Sequence, residues 1–212
     1  FDVARQGYVN LLTVTQKHSR HPGDTREMVA ARRAFLDAGW YAPIAGALAD
    51  LVRRICPEAA SVLDAGCGEG YYLSQLGWVP ERWGIDISRD AVRYAAARDR
   101  GAHWLTATAA HLPFADGGID CVLSMFALTA GAEFARVLRP GGVFCGCFYV
   151  KGECGRTDRL IRRVYERMHF FTPPYETVES LRARLGGMYG KAEVGNVKSI
   201  AWFVCRKESD GR

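Results

Sequence analysis

No apolar run in the 212 residues approaches the roughly 18 that a membrane-crossing helix needs, so no membrane partner is expected. No C-x-x-C pair occurs among the seven cysteines, which stand at positions 56, 67, 121, 145, 147, 154 and 205. An odd count without paired spacing argues against a disulfide framework or a zinc site and fits the reduced thiols of a cytoplasmic protein. Cys145 and Cys147 then simply share one strand face. Phe1-Asp2-Val3-Ala4-Arg5 has no basic region followed by an apolar one, so no secretory signal is expected. The absence of a starting Met points to a trimmed or processed start. Also missing is any Ser/His/Asp or Cys/His set for nucleophilic catalysis. No residue is assigned as a catalytic base, and no metal is expected.

What is present is organised around Val62 to Tyr71. Ser61 to Leu63 reads as a buried strand, and the residues after Gly70 read as a helix. The turn between them carries Gly66, Gly68 and Gly70 at alternate positions, where a backbone without Cβ atoms lets a ligand approach. The first amides of the following helix would suit a carboxylate or other anion. Dinucleotide folds use a related turn, but with Gly-x-Gly-x-x-Gly spacing. Here Asp64 precedes the first glycine by two residues, where it can meet an amino group. Gly84-Ile85-Asp86 then ends the next apolar run and places a second acid where a ribose diol would lie. An amino acid, a sulfonium and a ribose in one cleft describe S-adenosylmethionine.

The length fits one domain with a small appendage, and the 49% hydrophobic content can fill its core. Residues 1–23 read as an extended arm ending at His21-Pro22-Gly23. Asp24 is expected to cap a helix, with Glu27 completing the capping box. Met28, Ala31, Phe35 and Ala38 form its apolar stripe and leave Arg32 and Arg33 outside it. Pro43 opens a second helix, with Ala47, Leu48, Leu51 and Ile55 inward and Pro57 beyond its end. Residues 1–57 thus form an arm and helices over the cleft, and 58–212 the cofactor-binding domain.

Within that domain, strands are expected at 61–65, 82–86, 103–107, 120–125 and 143–150. Helices are expected over about 70–76, 88–98 and 131–138, with a turn at Arg139-Pro140-Gly141-Gly142. A basic helix over about 157–168, the turn Thr172-Pro173-Pro174 and a helix over about 177–186 follow. Strands near 190–197 and 199–206 then close an antiparallel hairpin. The sum is an α/β fold, a doubly wound, mostly parallel seven-stranded sheet.

Ligands of such sheets sit beyond the carboxyl ends of the strands. Asp86 is the expected ribose acceptor, and Thr108 or its neighbouring backbone faces the adenine amino group. Ile87, Ala109 and Met125 flank these strand ends and are placed in the same cofactor site. His111 reads as a loop residue and Cys67 as turn packing. Ser124 to Leu128 lacks the Asn/Asp-Pro-Pro-Tyr pattern of amino-directed methyltransferases and offers no evident base. Net charge is +5, with basic residues concentrated from Lys17 to Arg33 and from Lys151 to Arg167. Either stretch is a solvated face or a contact for a polyanion.

The motifs Asp64 to Gly70, Gly84 to Asp86, Leu112-Pro113-Phe114 and Leu138 to Gly142 resemble those of the class I S-adenosylmethionine-dependent methyltransferases. The arm resembles a narrower group, the 23S ribosomal RNA guanine-N1 methyltransferases. That likeness rests on Phe1 to Leu12, Pro22-Gly23-Asp24, Glu27-Met28 and Ala31 to Tyr41. It implies that Tyr41 contacts the cofactor, that Glu69 and Gly70 belong to its binding turn, and that Tyr8, Asn10, Arg32 and Arg33 border the acceptor pocket. An unstacked base would enter beside Phe126 and Tyr8. The chain departs from that group in starting at Phe1, without the preceding zinc finger. Phe148 to Glu153 and Phe170 to Tyr175 look more like small-molecule methyltransferases of the ubiquinone-biosynthesis type. Ribosomal RNA and a small-molecule acceptor are therefore the two expected partners, with the protein a monomer or homodimer.

Overall fold

The structure, a computed structural model, describes residues 3–13, 22–127, 130–150 and 176–209. The expected helix at 157–168, the turn at Thr172, the segment Lys151 to Arg167 and the Lys17 to Arg20 part of the first basic stretch lie outside them.

The elements run β1 (Tyr8–Asn10), α1 (Arg26–Asp37), α2 (Ala42–Ile55), β2 (Ser61–Ala65), β3 (Glu81–Asp86), α3 (Arg89–Arg98), β4 (His103–Thr106), β5 (Ile119–Met125), α4 (Gly131–Val137), β6 (Leu138–Tyr149), α5 (Val178–Tyr189), β7 (Lys191–Val197) and β8 (Ile200–Arg206). The sheet order is β1-β4-β3-β2-β5-β6-β8-β7. Pairings are parallel from β1 through β6 and antiparallel where β8 meets β6 and β7. The doubly wound sheet and closing hairpin are as expected, but the strand count is eight. The extra strand comes from the arm, where Tyr8 to Asn10 align with Trp104 to Thr106. Three residues on a sheet edge carry no alternation for a sequence to reveal.

Side chains alternate along each strand and divide the core in two. Val62, Cys121, Leu123 and Cys145 face α2 and α3, while Leu63, Val122, Phe144 and Phe203 face α4 and α5. Asp64, two residues after Val62, therefore points to the α2 side. Among the described residues no helix is long and apolar enough to cross a membrane.

Five local expectations are corrected. After Gly70 there is only a 3-10 helix, Leu73–Leu76, because Gly77 and Pro80 follow too closely for a longer one. Thr25, not Asp24, caps α1, its hydroxyl accepting from the Met28 amide at 3.3 Å. The predicted stripe of α1 is turned outward. Met28, Ala31, Phe35 and Ala38 are exposed, and Val29 and Leu36 are buried with Arg32 between them. In α2 the buried positions are Ala45, Leu48 and Val52, whereas Ala47 is exposed. The turn expected at Arg139 to Gly142 is absorbed into β6, with Gly141 in the left-handed region at φ +74° and a register irregularity against β5.

Candidate cofactor and acceptor site

β2 carries Asp64 to the carboxyl edge of the sheet, where it is fully buried and neither carboxylate oxygen has a hydrogen-bond partner among the described residues. Burial, with the added repulsion of Asp86 and Glu69, pushes its pKa up to about 7. A buried acid with no donor is costly unless something else supplies one. Nearby, the Gly66 and Cys67 amides both donate to the Ile85 carbonyl at 2.9 Å, which ties the turn to β3. Asp86 accepts from the Gly68 amide at 2.9 Å and the Ser88 amide at 2.8 Å. Burial raises the Asp86 pKa, and these two amides and Arg32 partly offset it.

Gly66 sits at φ +86°, and a Cβ there would come within 2.5 Å of the Ala127 Cβ. The glycine turn and the segment after β5 therefore abut, and only a bare backbone fits between them. Gly70 packs instead under the Trp104 ring, 2.6 Å from where its Cβ would be. An orphaned carboxylate, a second acid held by amides and a backbone cradle fit a ligand that brings an ammonium group and a diol.

Glu69 and Arg32, expected on the cofactor and acceptor sides respectively, are bonded to each other. The Arg32 Nε donates to Glu69 at 2.9 Å, its Nη1 pairs with Asp24, and its Nη2 lies 3.0 Å from where a Gly68 Cβ would be. Desolvation lowers the pKa of Arg32, but Glu69 and Asp24 outweigh it and the guanidinium is held firmly charged. So α1 places a cation over the glycine turn. Arg33 lies elsewhere, paired with Asp37 and over the Tyr94 ring of α3.

Ile87 packs against Gly23 of the arm, and the Ser88 hydroxyl donates to the Asp24 carbonyl at 2.8 Å. Thr108 is half-buried, its hydroxyl accepting from the Ala110 amide at 3.2 Å, with Ala109 beside it; His111 is exposed in the following turn. Met125 is buried, its sulfur 4.0 Å from that of Cys147.

On the far side of the turn, rings converge. Tyr41 and Phe126 have centroids 5.7 Å apart, Phe126 and Tyr149 5.0 Å, and Phe126 and Tyr72 6.5 Å. The hydroxyls of Tyr41 and Tyr149 are hydrogen-bonded at 3.1 Å. Tyr8 is not part of this cluster. It is buried, accepts from the Arg89 Nε at 2.9 Å, and with Asn10 lies on β1, four positions across the sheet from β5. At typical strand spacing that is roughly 19 Å, so Tyr8 and Phe126 do not flank one pocket. Sequence reasoning missed Tyr149, although its alternation with Cys145 and Cys147 already assigns it to the Asp64 side of the sheet.

Residues 63–146 match a family model described as a methyltransferase domain. Over these residues the chain carries a methyltransferase domain. Its fold is shared with a solved S-adenosylmethionine-dependent methyltransferase of Thermotoga maritima, described as a possible histamine N-methyltransferase. The TM-score is 0.64 at 17% identity, over 87% of this chain and all of that one. Among curated relatives, a putative 23S rRNA (guanine-N(1)-)-methyltransferase of Micromonospora griseorubida is 42% identical over 160 residues, 67% of this chain and 53% of that protein. The 23S rRNA (guanine(748)-N(1))-methyltransferase of Streptomyces fradiae is 42% identical over 148 residues, 67% of this chain and 52% of that protein. The chain thus spans about half the length of these relatives.

Residues 1–20 match a zinc-ribbon model described as RlmA, N-terminal. That corrects the expectation of an arm outside the finger, since the methyltransferase domain is preceded by sequence belonging to that ribbon model. No cysteine lies in the matched stretch, the first being Cys56, so these residues contribute no thiolate ligand.

Proposed function

We propose that the protein methylates the N1 atom of a guanine in 23S ribosomal RNA, with S-adenosylmethionine as donor. The observation that carries this reading is the match of the arm to the RlmA N-terminal model, beside 42% identity to relatives named for that reaction. When bound, S-adenosylmethionine would supply a methyl on a positively charged sulfur, the carbon–sulfur electron pair staying on sulfur and the guanine N1 proton being lost to solvent. Asp64 would meet the ammonium of the donor's amino-acid end, and the Arg32 guanidinium, held over the glycine turn, would meet its carboxylate. Asp86 takes the ribose hydroxyls. The protein's work is alignment and exclusion of water, which accounts for on the order of 7–11 kcal/mol in favourable cases.

The test is incorporation of labelled methyl into 23S ribosomal RNA transcribed without modifications, followed by mapping of the modified base. Methyl on one guanine N1 is expected, with RNA binding that weakens steeply as salt rises, because neutralised phosphates release counterions. Salt-insensitive turnover of a small acceptor, with no methyl on the RNA, would refute the reading.

A further inference from the structure

Five of the six cysteines among the described residues are buried, and only Cys56 is partly open to solvent. Cys56 closes α2, its amide donating to the Val52 carbonyl at 2.9 Å. Two side chains fix where this helix end sits. The Arg206 Nη2 donates to the Ile55 carbonyl at 3.2 Å. Asp120 accepts from the amides of Ala60 and Ser61, each at 2.9 Å, where the chain enters β2. Arg206 is aligned with Val143, and Val143 with Cys121, so the three form one row across β8, β6 and β5. Such a row shares one face of the sheet, here the face that α2 covers. Asp120 precedes Cys121 on β5 and Arg206 lies along its row, so both tie the end of α2 to the surroundings of Cys121.

The thiols meet there. Cys56 packs against the core cluster that contains Cys121 and Cys145, and its thiol is in hydrogen-bonding contact with that of Cys121. Cys121 is in similar contact with Cys145, which stands two residues beyond Val143 on the neighbouring strand. The first contact lowers the Cys56 pKa from its ordinary value, burial and Asp120 oppose this, and Arg206 and Arg139 add to it. The neighbouring thiols of Cys145 and Cys56, and then burial, push Cys121 well above the usual thiol range. A thiol that is part-exposed, readily ionised and set beside a second thiol has the properties of an oxidisable pair.

We propose that Cys56 and Cys121 form a reversible disulfide, Cys56 reacting first with hydrogen peroxide and Cys121 then closing the bridge. The Cys56 thiolate attacks one peroxide oxygen, the O–O bond breaks, and the departing hydroxide takes up a proton as water. Cys56 is then a sulfenic acid. The Cys121 sulfur attacks it, the S–O bond breaks, and the hydroxyl leaves with the Cys121 proton as a second water. Two thiols are oxidised and one peroxide is reduced. Cys121 needs no access to solvent, because the reactive sulfur is already beside it. The bridge fastens α2 to β5 at the ends opposite Tyr41 and Phe126, whose rings also meet.

The test exposes the reduced full-length protein to hydrogen peroxide, caps the remaining thiols with iodoacetamide and maps bridges by mass spectrometry of unreduced peptides. A Cys56–Cys121 bridge within one chain is expected, and dithiothreitol should reverse it. Fragment ions distinguish Cys56 from Cys67 where both fall in one peptide. In Cys121→Ser, Cys56 should stop at the sulfenic acid and be trapped by dimedone. In Cys56→Ser, Cys121 should stay reduced. Before oxidation, iodoacetamide should label Cys56 at least about tenfold faster than Cys121 in the folded protein. Wild-type protein whose Cys121 stays reduced, a bridge from Cys56 to any other cysteine or to a second chain, or equal labelling of the two thiols would overturn the pairing. The wild-type map decides this whether or not either variant folds.

Discussion

At the residue scale Asp64 decides most. Its free-protein pKa of about 7 lies above the ordinary carboxylate value of 3.8 because it is buried without a donor and faces Asp86 and Glu69. A pKa raised on folding contributes stability that is complete below about pH 4 and is lost as pH rises through about 7. Asp64→Asn cannot ionise and escapes that loss. Thermal melts of the cofactor-free proteins should therefore show the variant equal to wild type near pH 4 and more stable at pH 8. A variant less stable than wild type at pH 8 would mean that Asp64 already has a partner in the free protein. Asp64 and Asp86 were legible in the sequence because an acid beside a glycine turn or at a strand end has few other uses. The partnership of Arg32 with Glu69 was not, since a contact between residues 37 positions apart leaves no local mark.

At the element scale α1 is the instructive case. Counting apolar residues favours the stripe Met28, Ala31, Phe35 and Ala38, yet Val29, Arg32 and Leu36 turn inward. Hydrophobic periodicity rejects a stripe containing arginine, whereas the buried acid Glu69 requires one. Urea denaturation can separate the two faces. Leu36→Ala should cost about 2–4 kcal/mol, as for other buried leucines. Met28→Gln should stay within about 0.5 kcal/mol, as for an exposed site. The reverse order would put the predicted stripe back in the core. The 3-10 segment after Gly70 has a similar lesson. The glycines announced the turn, but the helix they were expected to launch is cut short by Gly77 and Pro80. Positive charge over the turn is supplied by the Arg32 side chain in place of a long helix terminus.

At the scale of the whole molecule, alternating strands and helices made the layered fold legible, because a parallel sheet covered on both faces writes a regular pattern into the chain. The eighth strand was hidden, since Tyr8 to Asn10 borrow their strand character from β4. The glycine turn with Asp64 could be read from one continuous stretch. The ring cluster could not, because Tyr41, Tyr72, Phe126 and Tyr149 meet only when four separate segments fold together. On the proposed reading the buried Asp64 carboxylate meets the ammonium group of the donor. Calorimetric titration with S-adenosylhomocysteine across pH tests this most directly. In the wild type, affinity should rise roughly tenfold between pH 6 and pH 7.5 as Asp64 ionises, and in Asp64→Asn it should be weak and flat. Wild-type affinity that does not change with pH, or that survives Asp64→Asn undiminished, would contradict it.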